Sequence, residues 1–152
     1  MESGTPSRDT AWAISRENIE LVRAICAPWG RGDYSSVEWA HPEIEFVIAD
    51  GPTPGSWRGL AGMAEGYRGF LSAWDDVRTD VEEYREFDSE RVLVLTHSTG
   101  RGKASGLKLD QISATTALLF QFRSGKVTRL LAYWDRDRAL ADLGLAPERS
   151  RE

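Results

Sequence analysis

Apolar residues along this chain recur every third or fourth position in its first half and, past about Val77, every second position. Asn18, Leu21, Val22, Ile25 and Trp29 share one helical face, and Glu17 and Glu20 suit the positive end of a helix dipole. This predicts a helix from Ser15 to Ala27, stopped because Pro28 biases Ala27 away from helical angles. Residues 1–14 read as a flexible tail. Gly32-Asp33 reads as a turn, with Asp33 capping a short second helix through Ala40 that His41-Pro42 ends. From Glu43 to Ala49 the pattern alternates, with Ile44, Phe46 and Ile48 on one side and Glu43 and Glu45 on the other. That is a half-buried strand. Asp50 to Gly55 is a loop of strong breakers. Trp57-Arg58-Gly59 then opens a third helix carrying Leu60, Met63, Tyr67, Phe70, Leu71 and Trp74. Gly62, Gly66 and Gly69 each cost that helix about 1 kcal/mol relative to alanine. Glycines on one side of a helix permit close backbone approach, which is a packing reading rather than a functional one.

The second half reads as four strands: Val77–Phe87, Arg91–Thr99, Lys108–Phe122 and Val127–Trp134. A turn at Asp88-Ser89, a glycine-rich reversal through Gly106 and the tight turn Arg123–Lys126 separate them. Asp135 to Leu145 closes the domain as a short helix capped by Asp135 and Asp137, and residues 146–152 read as a C-terminal tail. Helices followed by a strand meander predict one α+β domain over residues 15–145. The expected architecture is a curved antiparallel sheet wrapped around the N-terminal helices and enclosing a pocket.

Charge narrows the partners. A formal charge of −5 and a pI near 5.1 argue against sequence-independent nucleic-acid binding and against an anionic membrane surface. Arg101, Lys103 and Lys108 form a basic trio, which reads as a solvated hairpin tip. The single cysteine, Cys26, excludes an intrachain disulfide and sits on an apolar stripe, so it reads as a buried structural thiol. The first residues lack a signal-type apolar run and nothing reaches bilayer length, so a cytoplasmic protein is expected. No His, Cys or carboxylate spacing points to a metal, and no cofactor is expected.

Several segments, taken in order, resemble the nuclear transport factor 2-like superfamily in its SnoaL-like branch. They are Gly32-Asp33, His41-Pro42-Glu43-Ile44-Glu45-Phe46, Trp57-Arg58-Gly59, Phe120 to Val127, Tyr133-Trp134-Asp135, Ala139-Leu140 and Leu143-Gly144-Leu145. The resemblance implies the cone fold, a pocket in its hollow, and frequent dimerisation through the outer sheet face. It does not imply one chemistry. Ketosteroid isomerase, in that superfamily, builds an oxyanion hole from a tyrosine on the first helix and a protonated aspartic acid on the penultimate strand. Registered on Gly32-Asp33 and Gly125-Lys126-Val127, those positions hold Ile25 and Leu118, which donate no hydrogen bond. Its base falls near Pro42-Glu43, where strand parity turns Glu43 outward. Limonene epoxide hydrolase uses an Asp–Arg–Asp set, and the matching positions are Ala132, Thr96 and Ser98. The charged groups of both mechanisms are missing.

On the same register Leu130, Ala132 and Trp134 face the pocket from the last strand, with Leu118, Thr96 and Ser98 from its neighbours. Ile25, Ile44, Phe46, Trp57 and Tyr67 complete an aromatic, mainly apolar lining suited to a hydrophobic small molecule. Leu93, Leu95, Leu119, Leu131 and Tyr133 fall on the outer face, and that apolar strip predicts a homodimer. Two groups remain as weak acid–base candidates. Asp50 stands in the loop near the pocket mouth, and His97 faces outward unless the register slips by one. Arg136 and Arg138 read as solvated. Two function classes stay open: a non-catalytic protein binding a hydrophobic small molecule, or a cofactor-independent isomerase, cyclase or hydrolase using Asp50 or His97.

Overall fold

The computed structural model describes residues 8–50, 54–72, 74–102 and 111–145. Helix α1 (Arg8–Cys26) begins earlier than Ser15. No breaker follows Pro6, and Ala11 and Ala13 are strong helix formers, so the helix propagates back into the expected tail. Pro28 ends it and opens a short 3-10 turn, Pro28–Arg31. No second helix follows Asp33. Its carboxylate instead accepts from Ser35 N (3.0 Å) and Ser35 Oγ (2.7 Å), bonds that hold its pKa below the ordinary value. This local turn uses the side chain that a helix N-terminus would have needed.

Strands β1 (Ala40–Ile48) and β2 (Gly55–Arg58) precede helix α2 (Gly59–Ser72). Strands β3 (Trp74–Asp88), β4 (Arg91–Gly102), β5 (Gln111–Arg123) and β6 (Lys126–Tyr133) lead to helix α3 (Arg136–Asp142). They form one six-stranded sheet in the order β2-β1-β6-β5-β4-β3. β3 to β6 are the antiparallel meander expected, whereas β1 joins β6 in parallel. Trp57 and Arg58, expected to open a helix, belong instead to β2, paired with Phe46 and Glu45. Pro42 is tolerated in β1 because the pairing with β6 is irregular between Ala40 and Glu45. The outermost strand β3 carries Asp80, Glu82, Glu83 and Glu86, charges that discourage pairing with another chain. Lys103, Lys108 and the expected start of β5 lie outside the described residues.

The sheet has a core on each face. On the concave side Val22, Ile25 and Cys26 of α1, Trp29 and Met63 of α2 pack on Ile44, Phe46, Val94, Phe120 and Leu130. The other face is covered by α3: Leu93, Leu95, Leu119 and Tyr133 are buried against Ala139 and Leu140. Leu93 and Leu95 are 0% and 1% exposed within a single chain, so the strip invoked for a dimer is not a wet surface. That motive for dimerisation is lost.

Arg136 is likewise not solvated. It is 6% exposed, and its guanidinium donates to Thr96 O (2.6 Å), Thr116 O (3.1 Å) and Glu82 Oε1 (2.7 Å). A planar fork can meet several acceptors at once, which explains arginine at this position. Asp135 does cap α3, accepting from Asp137 N.

Two packing predictions arise here. A Cβ added at Gly66 would lie 2.8 Å from the Trp57 ring and 3.1 Å from Phe46, while one at Gly69 meets nothing within 4 Å. Gly69→Ala should therefore stabilise by about 0.5–1 kcal/mol through helix propensity. Gly66→Ala should destabilise by about 1–3 kcal/mol through overpacking, both read by urea unfolding. Burial pushes the Cys26 thiol up to about 12. The folded protein should thus resist iodoacetamide at pH 8 while the urea-unfolded chain reacts at once.

Candidate functional site: a hollow on the concave face

Side chains on the concave face stand in rows, because residues paired across strands point the same way. One row runs Phe46, Leu130, Phe120 and Val92; the next runs Ile48, Ala132, Leu118 and Val94. Thr96 and Thr116 pair in the row beyond, followed by Ser98 beside Thr79 of β3. In the second row a methyl group, Ala132, stands between isoleucine and leucine. The row has its smallest side chain there, and the hollow lies over it.

The hollow measures about 80 Å³ and is partly open. Its wall combines Phe46, Ile48, Leu118, Leu130, Ala132 and Trp134 with the rings of Trp29, Tyr34 and Tyr67 and the hydroxyls of Thr79, Thr96, Ser98 and Thr116. Ala117 and Tyr133 also border it, although they pack in the core under α3. None of the described lining residues is charged.

Aromatic packing explains the small volume. Tyr67 stacks on Phe46 at 4.8 Å, Phe46 on Trp57 at 5.7 Å, and Trp29 lies 5.8 Å from Tyr34 and 6.1 Å from Phe120. These rings fill much of the cone.

The hydroxyls form a strip of two hydrogen-bonded groups. Thr96 Oγ1 and Thr116 Oγ1 are 2.7 Å apart, and Ser98 Oγ lies 3.1 Å from Thr116 Oγ1. Tyr34 Oη donates to Val77 O (3.2 Å) and shares a 3.1 Å bond with Thr79 Oγ1. Desolvation raises the pKa of Tyr34 and, much further, that of Tyr67. Both phenols therefore stay protonated at neutral pH. The site can offer and accept neutral hydrogen bonds from an otherwise greasy surface.

Of the residues expected here, Phe46, Tyr67, Thr96, Ser98, Leu118, Leu130, Ala132 and Trp134 lie on the wall. Ile25, Ile44 and Trp57 do not: the first two are core residues packed behind it, and Trp57 backs Phe46. Asp50 is no free base. Its Oδ1 accepts from Trp134 N (2.6 Å) and its Oδ2 from Asp135 N (3.3 Å), tying the end of β1 to the start of α3. His97 lies between Thr96 and Ser98 in β4, so alternation turns it to the α3 face. Glu43 is exposed on β1.

Seven lining residues were not anticipated: Trp29, Tyr34, Ile48, Thr79, Thr116, Ala117 and Tyr133. Alternation back from Leu118 would have found Thr116, and alternation forward from Phe46 would have found Ile48. Tyr34 was hidden by the helix expected after Asp33. Among the described residues there is no group of His, Cys, Asp and Glu able to hold a metal, and no helix long and apolar enough to cross a membrane.

The sequence matches the model of the SnoaL-like domain over residues 22–130. No curated protein matches it. Solved structures share its fold. The protein TerC, co-crystallised with polyporic acid, is 23% identical with a TM-score of 0.66, covering 84% of this chain and 97% of its own. A candidate SnoaL-like polyketide cyclase from Jannaschia sp. CCS1 is 14% identical with a TM-score of 0.68, covering 95% and 100%. A protein of ketosteroid isomerase-like fold from Catenulispora acidiphila, in complex with trimethylamine, is 15% identical with a TM-score of 0.62, covering 87% and 98%. Curved sheet, helices in its concave face and a hollow at the sheet centre agree with the sequence match, and the chain belongs to the SnoaL-like domain family.

Proposed function

We propose that this chain binds an uncharged small molecule, largely apolar and carrying oxygen functions, in the hollow over Ala132. One observation carries the reading: a wall of rings, aliphatic side chains and hydroxyls with no described charge on it. A carboxylate or ammonium placed there would lose its hydration without a counter-ion, a heavy cost. A neutral ring loses nothing comparable and gains apolar burial. TerC, of the same fold, was co-crystallised with polyporic acid, which adds weight to a small-molecule site in this hollow.

Size sets a condition. An engineered apolar cavity of about 150 Å³ is enough for benzene. At about 80 Å³ this hollow is smaller, so a ring-bearing ligand must displace a lining side chain or extend through the opening. Trp134, at the end of the wall, is only partly buried and is the ring that such a ligand would displace.

The geometry does not favour acid–base catalysis by Asp50 or His97. Asp50 is engaged by two backbone N–H groups and His97 faces the other side of the sheet. The test is a pair of probes of similar size, acetophenone and benzoate, titrated at pH 7.5 while Trp134 fluorescence and amide NMR shifts are followed. Acetophenone should bind at least tenfold more tightly than benzoate. Equal binding, or preference for benzoate, would contradict the proposal.

A further inference from the structure

Every hydroxyl on the wall of the hollow except one has a protein partner. Thr96, Thr116 and Ser98 bond to one another, and Tyr34 is shared between Val77 and Thr79. The exception is Tyr67, whose Oη makes no hydrogen bond in the described structure. Nor is that oxygen sealed in. Among the described residues the one fully buried side-chain nitrogen or oxygen without a hydrogen bond is Arg129 Nε, which lies 3.2 Å from Glu45 Oε1, so Tyr67 Oη keeps accessible surface, and Tyr67 lines the hollow.

Geometry fixes the ring that carries it. Tyr67 projects from α2 and is held between Phe46 at 4.8 Å, Tyr34 at 6.1 Å and Trp29 at 6.3 Å. A phenol clamped on a ring stack and left without an acceptor carries a standing cost in a desolvated site. A ligand supplying an acceptor oxygen would remove that cost. Burial also holds the phenol well above its ordinary pKa, so it is a donor at every physiological pH.

We infer that Tyr67 donates a hydrogen bond to a carbonyl-type oxygen of the ligand, which narrows the ligand class to neutral cyclic ketones, quinones and related carbonyl compounds. The inference rests on the hollow being the binding site. Donors are few elsewhere on the wall, because two of the three O–H groups of Thr96, Thr116 and Ser98 are used in bonds among themselves. Tyr67 therefore discriminates between ligands of one shape that differ in a single oxygen. It is a specificity residue, and its role in any chemical step is not implied.

The experiment uses acetophenone and α-methylstyrene, which have the same shape and differ by C=O against C=CH2. Wild-type protein should bind acetophenone about five- to tenfold more tightly, the worth of one net neutral hydrogen bond. Tyr67→Phe should remove that preference while leaving α-methylstyrene binding unchanged. Its midpoint of thermal unfolding should stay level or rise, because the lost hydroxyl had no partner. A preference that survives Tyr67→Phe overturns this inference alone and leaves the hollow as the site. A clear fall in thermal stability also overturns it, by showing that the hydroxyl serves the fold. If neither probe shifts the amides around Ala132, the binding reading falls and the inference with it.

Discussion

Arg136→Leu is expected to cost about 2–4 kcal/mol, a large share of the stability of an ordinary domain. The guanidinium is almost fully buried and bonds two strand carbonyls, Thr96 O and Thr116 O, that belong to the residues of the hydroxyl strip on the opposite face. Removing it strips both carbonyls of a charged donor and frees α3 from the sheet. Leu93, Leu95 and Leu119 would then meet water. Arg136→Lys should lose most of the same energy, because an ammonium cannot reach the two carbonyls and Glu82 together. Glu82→Gln should cost under about 1 kcal/mol, since Glu82 is half exposed and screened. Urea unfolding measures all three, and a dye for exposed apolar surface should bind the first two variants only. Equal effects at Glu82 and Arg136 would mean that the ion pair, rather than the carbonyl contacts, holds the helix.

Ala132→Leu is the second large effect, on binding rather than folding. Three added carbons fill a hollow of about 80 Å³ between Ile48 and Leu118. Tryptophan would overfill it. Acetophenone affinity should fall by at least tenfold while unfolding free energy moves by no more than about 1 kcal/mol, because the substitution occupies empty space. A loss above about 3 kcal/mol would show ordinary packed core at Ala132. Undiminished binding would place the ligand elsewhere.

Asp50→Asn separates the two roles considered for that residue. An amide keeps an acceptor for Trp134 N but loses the charge near α3's N-terminus, so stability should fall by about 0.5–1.5 kcal/mol. Acetophenone binding should be little changed.

What could be read from the chain alone follows from the physics of each element. Strand parity was legible wherever alternation was unbroken: Ile44, Phe46 and Ile48 in β1, Leu130 and Ala132 in β6, and Thr96 and Ser98 against His97 in β4. That parity sufficed to locate most of the wall. It failed where a local side-chain bond outweighed a pattern. Asp33 looks like a helix cap, but its bonds to Ser35 fold a turn that sends Tyr34 into the hollow.

Trp57 sits in four residues of strand too short to carry a period of their own. Arg136 was misread for a different reason. Its partners are backbone carbonyls on β4 and β5 plus a residue at a β3 irregularity, and no side-chain pattern announces acceptors of that kind. The same omission hid the cover over Leu93 and Leu95, so an outer face that α3 buries looked available for a partner.

The central claim is that the hollow over Ala132 takes a neutral ligand. The most direct measurement is an amide NMR titration of the full chain with acetophenone, mapped residue by residue. The account predicts saturable shifts clustered at Thr116 to Leu118 and Leu130 to Trp134, and their loss in Ala132→Leu. Shifts clustered instead around α3, or scattered and unsaturable at millimolar probe, would contradict it.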